Sequence, residues 1–392
     1  MRILHAVGAR PNFPKLAPVH RAAAAAGVTQ VVVHTGQHYD EALSEGFFRD
    51  LGIPSPEINL GIGAGTHATQ TARILERFEP VLRAEAPDWL MVYGDVNSTM
   101  AAALVASKLG IRVAHVEAGL RSHDRTMPEE INRIVTDRLA DLLLTHSRDA
   151  DATLRAEGEP DDEIVFVGNV MIDTLLFSLD AARRTYFRQR LGISGSVVVV
   201  TLHRPSNVDD PIRLARIAAA LRAIAADRPV VFPMHPRTEE RVAAAGVDLS
   251  GVIVLRPVSY PEMLNLVDGA SAVITDSGGL QEETTALGVP CLTVRNNTER
   301  PITISEGTNQ LVPEPSELPE RVRGLTRVVD VRRPEGWDGR AGERIVRALV
   351  ERCAHADLNA APPEPFREPE ARLTSTSARA KPQRSNSLSI MA

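Results

Sequence analysis

The stretch WLMVYGDVNSTMAAALVASKLGIRVAHV, residues 89–116, decides the fold class of the chain. It contains two short apolar runs, Trp89–Tyr93 and Arg112–Val116, with an alanine-rich segment, Ser98–Leu109, between them. Short β-branched runs that alternate with helices of about 10–15 residues are typical of parallel βαβ units buried on both faces. The stretch therefore predicts an α/β fold on a parallel sheet.

The same alternation continues in both directions and then restarts. In the first half it predicts strands at Arg2–Val7, Gln30–His34, Leu143–His146 and Ile164–Val167, and helices at Pro14–Ala25 and around Glu129–Leu142. In the second half it predicts strands at Ser196–Leu202, Pro229–Met234, Val252–Leu255, Ala272–Thr275 and Pro290–Val294. The 392 residues suffice for two domains. We predict two Rossmann-like doubly wound domains, residues 1–170 and 171–355, that face each other across a cleft.

Three further segments have a different composition. We expect Val170–Gly195 to be helical, polar and a hinge between the domains. The spacing of apolar residues over 338–353 predicts an amphipathic helix with Ile345, Val346, Leu349 and Val350 on one face. This helix either stays with the second domain or packs back on the first. Residues 356–392 are rich in proline and serine and poor in apolar side chains, which predicts a disordered tail.

Composition and charge exclude several classes of function. The chain has 44 Lys and Arg against 50 Asp and Glu, a net charge of -6, whereas a nucleic-acid binder should be basic. No apolar run approaches the ~20 residues of a membrane span. Two cysteines cannot form a disulfide framework, so we expect a cytoplasmic protein. An anionic ligand must therefore be held by a local arrangement of cations.

The first turn, GARPNFPK at residues 8–15, joins a predicted strand to a predicted helix. It has neither the GxGxxG spacing of dinucleotide-binding enzymes nor the P-loop pattern, which disfavours both classes. Arg10 and Lys15 flank a helix N-terminus, which favours an anion site there. The alternative is that both cations are ordinary surface groups.

Three carboxylates follow strands of the first half. Asp95 and Glu117 end neighbouring strands, and Glu129 begins the next helix. Asp95 could instead cap the helix after it, and Glu129 could form a surface i,i+4 ion pair with Arg133. If the three carboxylates converge at one edge of the sheet, we expect them to push one another's pKa values apart and to provide an acid and a base.

The second half contains a predicted phosphate site. TDSGGLQEE, residues 275–283, reads as a strand end, a glycine turn and a helix, where backbone N–H groups can approach an anion. Glu283, one helical turn further on, could accept the hydroxyls of a ribose. His203 ends another strand, and His235 is either a second contact or a structural histidine.

Motifs for metal binding and covalent catalysis are missing from the sequence. It has no HExxH, CxxC or GxSxG, and a predicted turn separates His34 from His38. We predict neither a metal site, nor a covalent nucleophile, nor a cofactor.

Taken together, these motifs resemble those of the non-hydrolysing UDP-N-acetylglucosamine 2-epimerases. The matching segments include GARPNFPKLAPV, TGQHYD, YGDVNST, HVEAGLRS, MPEEINR, TLHRPSNVD, DSGGLQEE and RNNTERP, and they run in order from about residue 1 to 353. The resemblance implies a glycosyltransferase-B arrangement of two Rossmann-like domains in a cytoplasmic homodimer. It also implies interconversion of UDP-N-acetylglucosamine and UDP-N-acetylmannosamine without a redox cofactor, by elimination and re-addition of UDP through 2-acetamidoglucal.

The resemblance also implies roles for individual residues. The catalytic residues would be Asp95, Glu117, Glu129 and His203, of which His203 contacts the leaving diphosphate. The substrate would be held by Arg10, Lys15, Arg133, Met263, Ser277, Gly278, Gly279, Glu283 and Arg300.

Two departures and several alternatives bear on these expectations. Many members have Glu after TERP, where this chain has Ile302, and the next acid is Glu306. The segment Gln37–Asp40 lacks the polar amides with which bacterial relatives bind an activating UDP-sugar, so allosteric activation stays open. The alternatives are a hydrolysing enzyme of the same fold, an epimerase of a modified UDP-2-acetamido sugar, a glycosyltransferase and a non-catalytic binding protein.

Overall fold

A computed structural model describes residues 1–37, 46, 48–327 and 333–359, and it contains two parallel β-sheets. The strands of the first sheet are β1 Arg2–Val7, β2 Thr29–His34, β3 Ile58–Asn59, β4 Trp89–Tyr93, β5 Arg112–Ala118, β6 Leu142–Thr145 and β7 Ile164–Phe166, in the order β3-β2-β1-β4-β5-β6-β7. The helices of this half are α1 Phe13–Ala25, α2 His67–Glu85, α3 Asn97–Lys108, α4 Pro128–Leu139 and α5 Arg148–Ala156. All five residues of β4 are buried, as expected for a strand covered on both faces.

The second half repeats this organisation. Its helices are α6 Val170–Arg183, α7 Phe187–Arg190, α8 Pro205–Val208, α9 Pro211–Ala225, α10 Pro236–Ala244, α11 Tyr260–Asp268, α12 Gly278–Leu287, α13 Ile302–Ser305, α14 Leu318–Arg323 and α15 Ala341–Asn359. Its strands are β8 Val198–Thr201, β9 Val230–Pro233, β10 Ile253–Leu255, β11 Ala272–Thr275, β12 Cys291–Thr293 and β13 Asn309–Leu311, in the order β10-β9-β8-β11-β12-β13.

The strand order of each sheet reverses once, beside β1 and β4 in the first sheet and beside β8 and β11 in the second. At such a switch point the loops at the carboxyl ends of the strands diverge and leave a crevice, where open α/β sheets bind ligands. The predicted fold class is thus confirmed: the chain is an α/β protein with two Rossmann-like sheets in the glycosyltransferase-B arrangement.

Helices α6 and α15 connect the two halves. Helix α6 contacts α1 of the first half and α11 and α12 of the second. Its first six residues are buried, because the helix packs on both halves. The prediction of a polar segment was therefore wrong for this helix. Helix α15 packs on α1, with Ile345 and Leu349 buried and Val350 44% exposed.

Several element boundaries differ from the expectation. Helix α4 ends at Leu139 instead of 142, since the apolar residues that follow form β6. Helix α2 and the short strands β3 and β13 had no prediction. The prediction of a disordered tail over residues 356–392 was wrong for residues 356–359, which continue helix α15. The rest of the tail lies outside the described residues, as do residues 38–40 of the segment considered for allosteric activation. No helix in the described part of the chain is long and apolar enough to cross a membrane.

Candidate active site

The site of the first half begins at the turn between β1 and α1. The side-chain oxygen of Asn12 accepts hydrogen bonds from the N–H groups of Gly8 and Ala9 at 3.0 and 3.1 Å. Its amide group donates to the carbonyl of Tyr93 at 2.8 Å, which ties this turn to the end of β4. The alternative that Lys15 is an ordinary surface group is therefore wrong, because the turn directs it inward, where its side chain is only 7% exposed.

Glu117 is the centre of a buried ion cluster. Its carboxylate lies 2.6 Å from Lys15 Nζ and 2.8 Å from Nη2 of Arg300, which belongs to the second half. Burial raises the pKa of Glu117, but Lys15 and Arg300 outweigh it and lower the pKa to about 2. The expectation that neighbouring carboxylates set this pKa was wrong, since two cations surround the group.

The backbone around Glu117 is strained. Its φ is +76°, and the pairing of β5 with β6 shifts register between Val116 and Ala118. A non-glycine residue in this region costs roughly 1–3 kcal/mol, and such residues cluster at functional sites. Gly94 lies opposite, with φ +64°, and a Cβ there would be 2.5 Å from Lys15 Nζ. The close approach of Lys15 to Glu117 thus depends on glycine at position 94.

Asp95 is held by Arg133. The guanidinium approaches Asp95 Oδ2 at 2.7 Å and Glu130 Oε2 at 2.6 Å. Glu130 also accepts the N–H groups of Ser122 and His123, which fixes the loop before α4. The alternative of a helix cap at Asp95 is excluded because Val96 occupies the cap position of α3. Arg133 pairs with Asp95 and Glu130 rather than with the carboxylate at position 129.

A cavity of about 300 Å³ brings Asp95 and Glu129 together. Polar side chains that the sequence analysis missed complete its wall: Gln37, His67, Gln70, Asn97 and Asn132. Asn97 donates to Gln70 at 3.0 Å, and Asn132 donates to the Asp95 carbonyl at 2.9 Å. Glu117 does not line this cavity, so only two of the three predicted carboxylates share it. A larger groove, of about 960 Å³ between α1, α6 and α15, contains none of the predicted site residues.

The second half carries two histidines at the ends of its strands, His203 and His235. His203, at the end of β8, has a half-exposed side chain and lies 3.0 Å from Asp276. His235 begins α10 and accepts the Arg237 N–H at 3.2 Å. Burial lowers the pKa of His235, and the nearby His203, Arg10 and Arg237 lower it further. Arg10 of the first half and His203 of the second thus both lie close enough to His235 to lower its pKa.

The glycine turn lies at the N-terminus of α12. Ser277 precedes the helix, and Gly278 is its first residue. A Cβ at Gly278 would be 2.4 Å from Arg300 Nη1 and 2.7 Å from Glu299 Oε1, whereas one at Gly279 would meet only Met171 Cε at 3.6 Å. Packing against Arg300 and Glu299 therefore requires glycine at position 278. At position 279 the space beside the backbone is free of close contacts, and a helix N-terminus such as this one attracts anions.

Glu283 lies one turn further along α12. Burial and the nearby Glu282 raise the pKa of Glu283 to about 7. A hydrogen bond from the Tyr260 hydroxyl at 2.9 Å lowers the pKa but does not outweigh them. Met263 lies on α11 with Tyr260 and packs partly buried against the core of the second half. Glu283 and Met263 therefore lie on adjacent helices beside the glycine turn.

Arg300 joins the two halves through three carboxylates. Besides Glu117, it lies 2.7 Å from Glu299 and 3.0 Å from Glu282, neither of which was predicted. Burial opposes its charge, but these acids raise the pKa of Arg300 above its usual range. Ile302 packs in the apolar core of the second half and Glu306 is exposed, so the shifted acid does not reach the cluster. A contact with a nucleotide would require Arg300 to leave part of this cluster.

No group of three metal-ligating side chains occurs among the described residues. The ring of His34 accepts the Gly36 N–H at 2.9 Å, and His38 lies outside the described residues. The geometry thus offers two carboxylates in a polar cavity of the first half and a glycine turn at a helix N-terminus in the second half.

A family model and several known proteins are similar to this chain. The family model for UDP-N-acetylglucosamine 2-epimerase matches residues 20–350. The UDP-N-acetylglucosamine 2-epimerase of Methanocaldococcus jannaschii is 40% identical over 368 residues, which are 89% of this chain and 99% of that protein. The UDP-2,3-diacetamido-2,3-dideoxy-D-glucuronate 2-epimerase of Pseudomonas aeruginosa is 45% identical over 316 residues, 80% of this chain and 88% of that protein.

A crystal structure of the Methanocaldococcus jannaschii enzyme in complex with UDP-GlcNAc and UDP has a TM-score of 0.83 to this structure. The match covers 90% of this chain and 100% of that chain at 40% identity.

Proposed function

Because the chain belongs to the UDP-N-acetylglucosamine 2-epimerase family and is thus an epimerase, we propose that it interconverts UDP-N-acetylglucosamine and UDP-N-acetylmannosamine. The observation that carries the proposal is the position of Asp95 and Glu129 in one polar cavity of the first half, while the second half offers His203 and the glycine turn at the N-terminus of α12 for an anion. The reaction needs both parts, since a proton leaves C2 of the sugar while a diphosphate leaves C1.

The second half would bind the nucleotide. The N–H groups of Gly278 and Gly279 would receive the diphosphate together with the Ser277 side chain, as helix N-termini commonly do. The Ser277 N–H itself donates to Thr275 Oγ1 at 2.9 Å. Glu283 would accept the ribose hydroxyls, and Met263 on the neighbouring helix would lie against the uracil. Arg10 would reach the same diphosphate from the first half, since it lies close enough to His235 to lower the pKa of that histidine.

The first step would be an elimination. A carboxylate takes the C2 proton, the electron pair of the C2–H bond forms the C1–C2 double bond, and the C1–O bond breaks to release UDP. The products are UDP and 2-acetamidoglucal. Cations and N–H groups around the departing diphosphate stabilise the charge that develops on it. In this chain those groups would be His203, Arg10 and the turn before α12.

The second step would reverse the first on the other face of the sugar. A carboxyl group returns a proton to C2, and UDP adds back to C1. Because the pKa of Glu117 is about 2, this residue remains ionised near neutral pH and is unsuited to donate the proton. We therefore assign acid and base to Asp95 and Glu129, with Arg133 holding Asp95 in place. Glu117 would act as a fixed negative charge that positions Lys15 and Arg300.

A second candidate substrate is a UDP-2,3-diacetamido uronic acid, because the Pseudomonas aeruginosa relative is named for one. Charge argues against it here. The cavity holds two carboxylates, and no Lys or Arg is among the described residues that line it. A sugar carboxylate would meet repulsion there without a partner. The neutral N-acetyl sugar is thus the better match.

Incubation with each sugar nucleotide, followed by proton NMR of the anomeric signals, tests the choice. We expect UDP-N-acetylmannosamine to grow from UDP-N-acetylglucosamine, and the diacetamido uronate to react at least about tenfold more slowly. Faster turnover of the uronate would favour the second candidate. Free N-acetylmannosamine from the first time points would instead indicate a hydrolysing enzyme.

The homodimer and the cytoplasmic location implied by the resemblance stay predictions. Sedimentation of the purified chain would test the first.

A further inference from the structure

Asp276 is a buried carboxylate directly between β11 and the glycine turn, and none of the roles above includes it. It has no solvent exposure. Its oxygens accept the backbone N–H groups of His203 at 3.1 Å and Arg204 at 2.9 Å, and the Asn207 side chain at 3.0 Å. His203 Nδ1 lies 3.0 Å from Oδ1. Four donors from one loop therefore converge on a single side chain.

The charge of Asp276 is maintained by these donors. Burial raises its pKa, but the contacts with His203, Asn207 and the Arg204 N–H outweigh burial and lower the pKa below its usual value. The group is thus an anion at neutral pH. An ionised carboxylate can only accept hydrogen bonds, so the ring nitrogen beside it, Nδ1, must carry the proton.

This contact determines what His203 presents to the cleft. With Nδ1 facing Asp276, the other ring nitrogen, Nε2, is the one that can meet a ligand, and the side chain is half exposed. Asp276 is the charged group in contact with the ring, and His203 also lies close enough to His235 to lower the pKa of that histidine. The next residue after Asp276 is Ser277, which begins the glycine turn.

We propose that Asp276 is a positioning residue for His203, which fixes the ring tautomer with Nε2 toward the cleft and joins the His203 loop to the glycine turn. The ring edge that carries Nε2 and the N–H groups of the glycine turn then face one diphosphate without rearrangement when the C1–O bond breaks. Nε2 donates to the diphosphate when both ring nitrogens carry a proton. The inference rests on the proposed function for the role of the diphosphate, but the tautomer and the alignment of the loop are properties of the free protein.

The test compares Asp276→Asn and Asp276→Glu with Thr238→Val. Asparagine keeps the shape but places no anion beside Nδ1. Thr238 is a matched control because its buried hydroxyl donates to the Leu202 carbonyl at 2.8 Å, so its loss removes one hydrogen bond from the same loop without a contact to the His203 ring. For each variant, nitrogen NMR of histidine-labelled protein reports the ring tautomer, calorimetry the Kd for UDP, and steady-state assays kcat and KM.

We expect the wild-type His203 signals to show the proton on Nδ1, and Asp276→Asn to lose this preference. We expect kcat to fall at least about tenfold in Asp276→Asn, since removal of one stabilising donor costs roughly 100- to 1,000-fold when it acts directly. Asp276→Glu should recover part of the loss, and Thr238→Val should keep kcat within about twofold.

A wild-type ring with its proton on Nε2 would overturn the proposal, and this measurement needs no variant to fold. Equal losses of kcat in Asp276→Asn and Thr238→Val would also overturn it, because a merely structural role predicts that result. If the chain showed no epimerase activity, the proposed function would fail, while the tautomer and the Kd for UDP would still decide the role of Asp276.

Discussion

The ion pair between Lys15 and Glu117 allows a quantitative prediction. The two groups are 2.6 Å apart, and their side chains are 7% and 4% exposed. The pKa of Glu117 falls from 4.5 to about 2, and this difference corresponds to about 3 kcal/mol of folding free energy. Lys15 is the stronger of the two cations that lower it, ahead of Arg300. We therefore expect Lys15→Met to lower the free energy of unfolding by about 3 kcal/mol, the lower end of what broken buried pairs cost.

A double-mutant cycle separates the pair from other effects of the substitutions. Urea unfolding of wild type, Lys15→Met, Glu117→Gln and the double variant at pH 7 should give a coupling free energy of about 1–3 kcal/mol. Trp89 in β4 provides a fluorescence signal in the same half. Lys108→Met, at an exposed position on α3, is the matched control and should change stability by less than about 0.5 kcal/mol.

The same pair predicts the direction of the pH dependence. Because the folded-state pKa of Glu117 is below the unfolded value, its stabilisation is fully present above about pH 4.5 and is lost as the pH falls toward 2. The difference between wild type and Lys15→Met should thus narrow between pH 5 and pH 3. A coupling below about 0.3 kcal/mol, as for independent sites, would refute the ion-pair reasoning.

Three further predictions concern the nucleotide and sugar sides of the cleft. Since the pKa of Glu283 is about 7 and ribose hydroxyls favour its ionised form, calorimetry should show binding of UDP-N-acetylglucosamine up to about tenfold tighter at pH 8 than at pH 6, and Glu283→Gln should remove this dependence. Gly278→Ala should lower the thermal midpoint by several degrees through its clash, whereas Gly279→Ala should leave it nearly unchanged; equal midpoints would contradict the packing argument. Asp95→Asn and Glu129→Gln should each lower turnover at least about 100-fold with the Kd for UDP within a few-fold, and a parallel loss of UDP binding would show that they hold the ligand instead.

The sequence could predict the sheets because their strands are uniformly apolar. Residues Trp89–Tyr93 and Ala272–Thr275 form strands with those bounds, since buried parallel strands carry a strong local signal. Ile58–Asn59 and Asn309–Leu311 have no such signal because they are short edge strands, paired on one side only. Helix α6 was misjudged as polar although its sequence, VMIDTLLFSLDAAR, is largely apolar. Its packing on both halves is a tertiary property that the local pattern does not contain.

For the candidate site, the sequence could indicate which residues follow strands but not what pairs with them. The positions of Asp95 and Glu129 at one cavity follow from the parallel topology. The partners of Glu117 do not, because Arg300 comes from 183 residues away and reaches it only through the arrangement of the two halves. Asp276 stands in the quoted DSGG motif, yet its function as an acceptor for the His203 loop depends on the pairing of β8 with β11.

Proton exchange at C2 tests the central claim most directly. The chain should be incubated with UDP-N-acetylglucosamine in deuterated water and followed by NMR. The mechanism predicts that every UDP-N-acetylmannosamine formed carries deuterium at C2, because the C2–H bond breaks and solvent supplies the new proton. UDP-N-acetylmannosamine that keeps its original C2 proton, or UDP binding without any C2 exchange, would contradict an elimination by the carboxylates of this cavity.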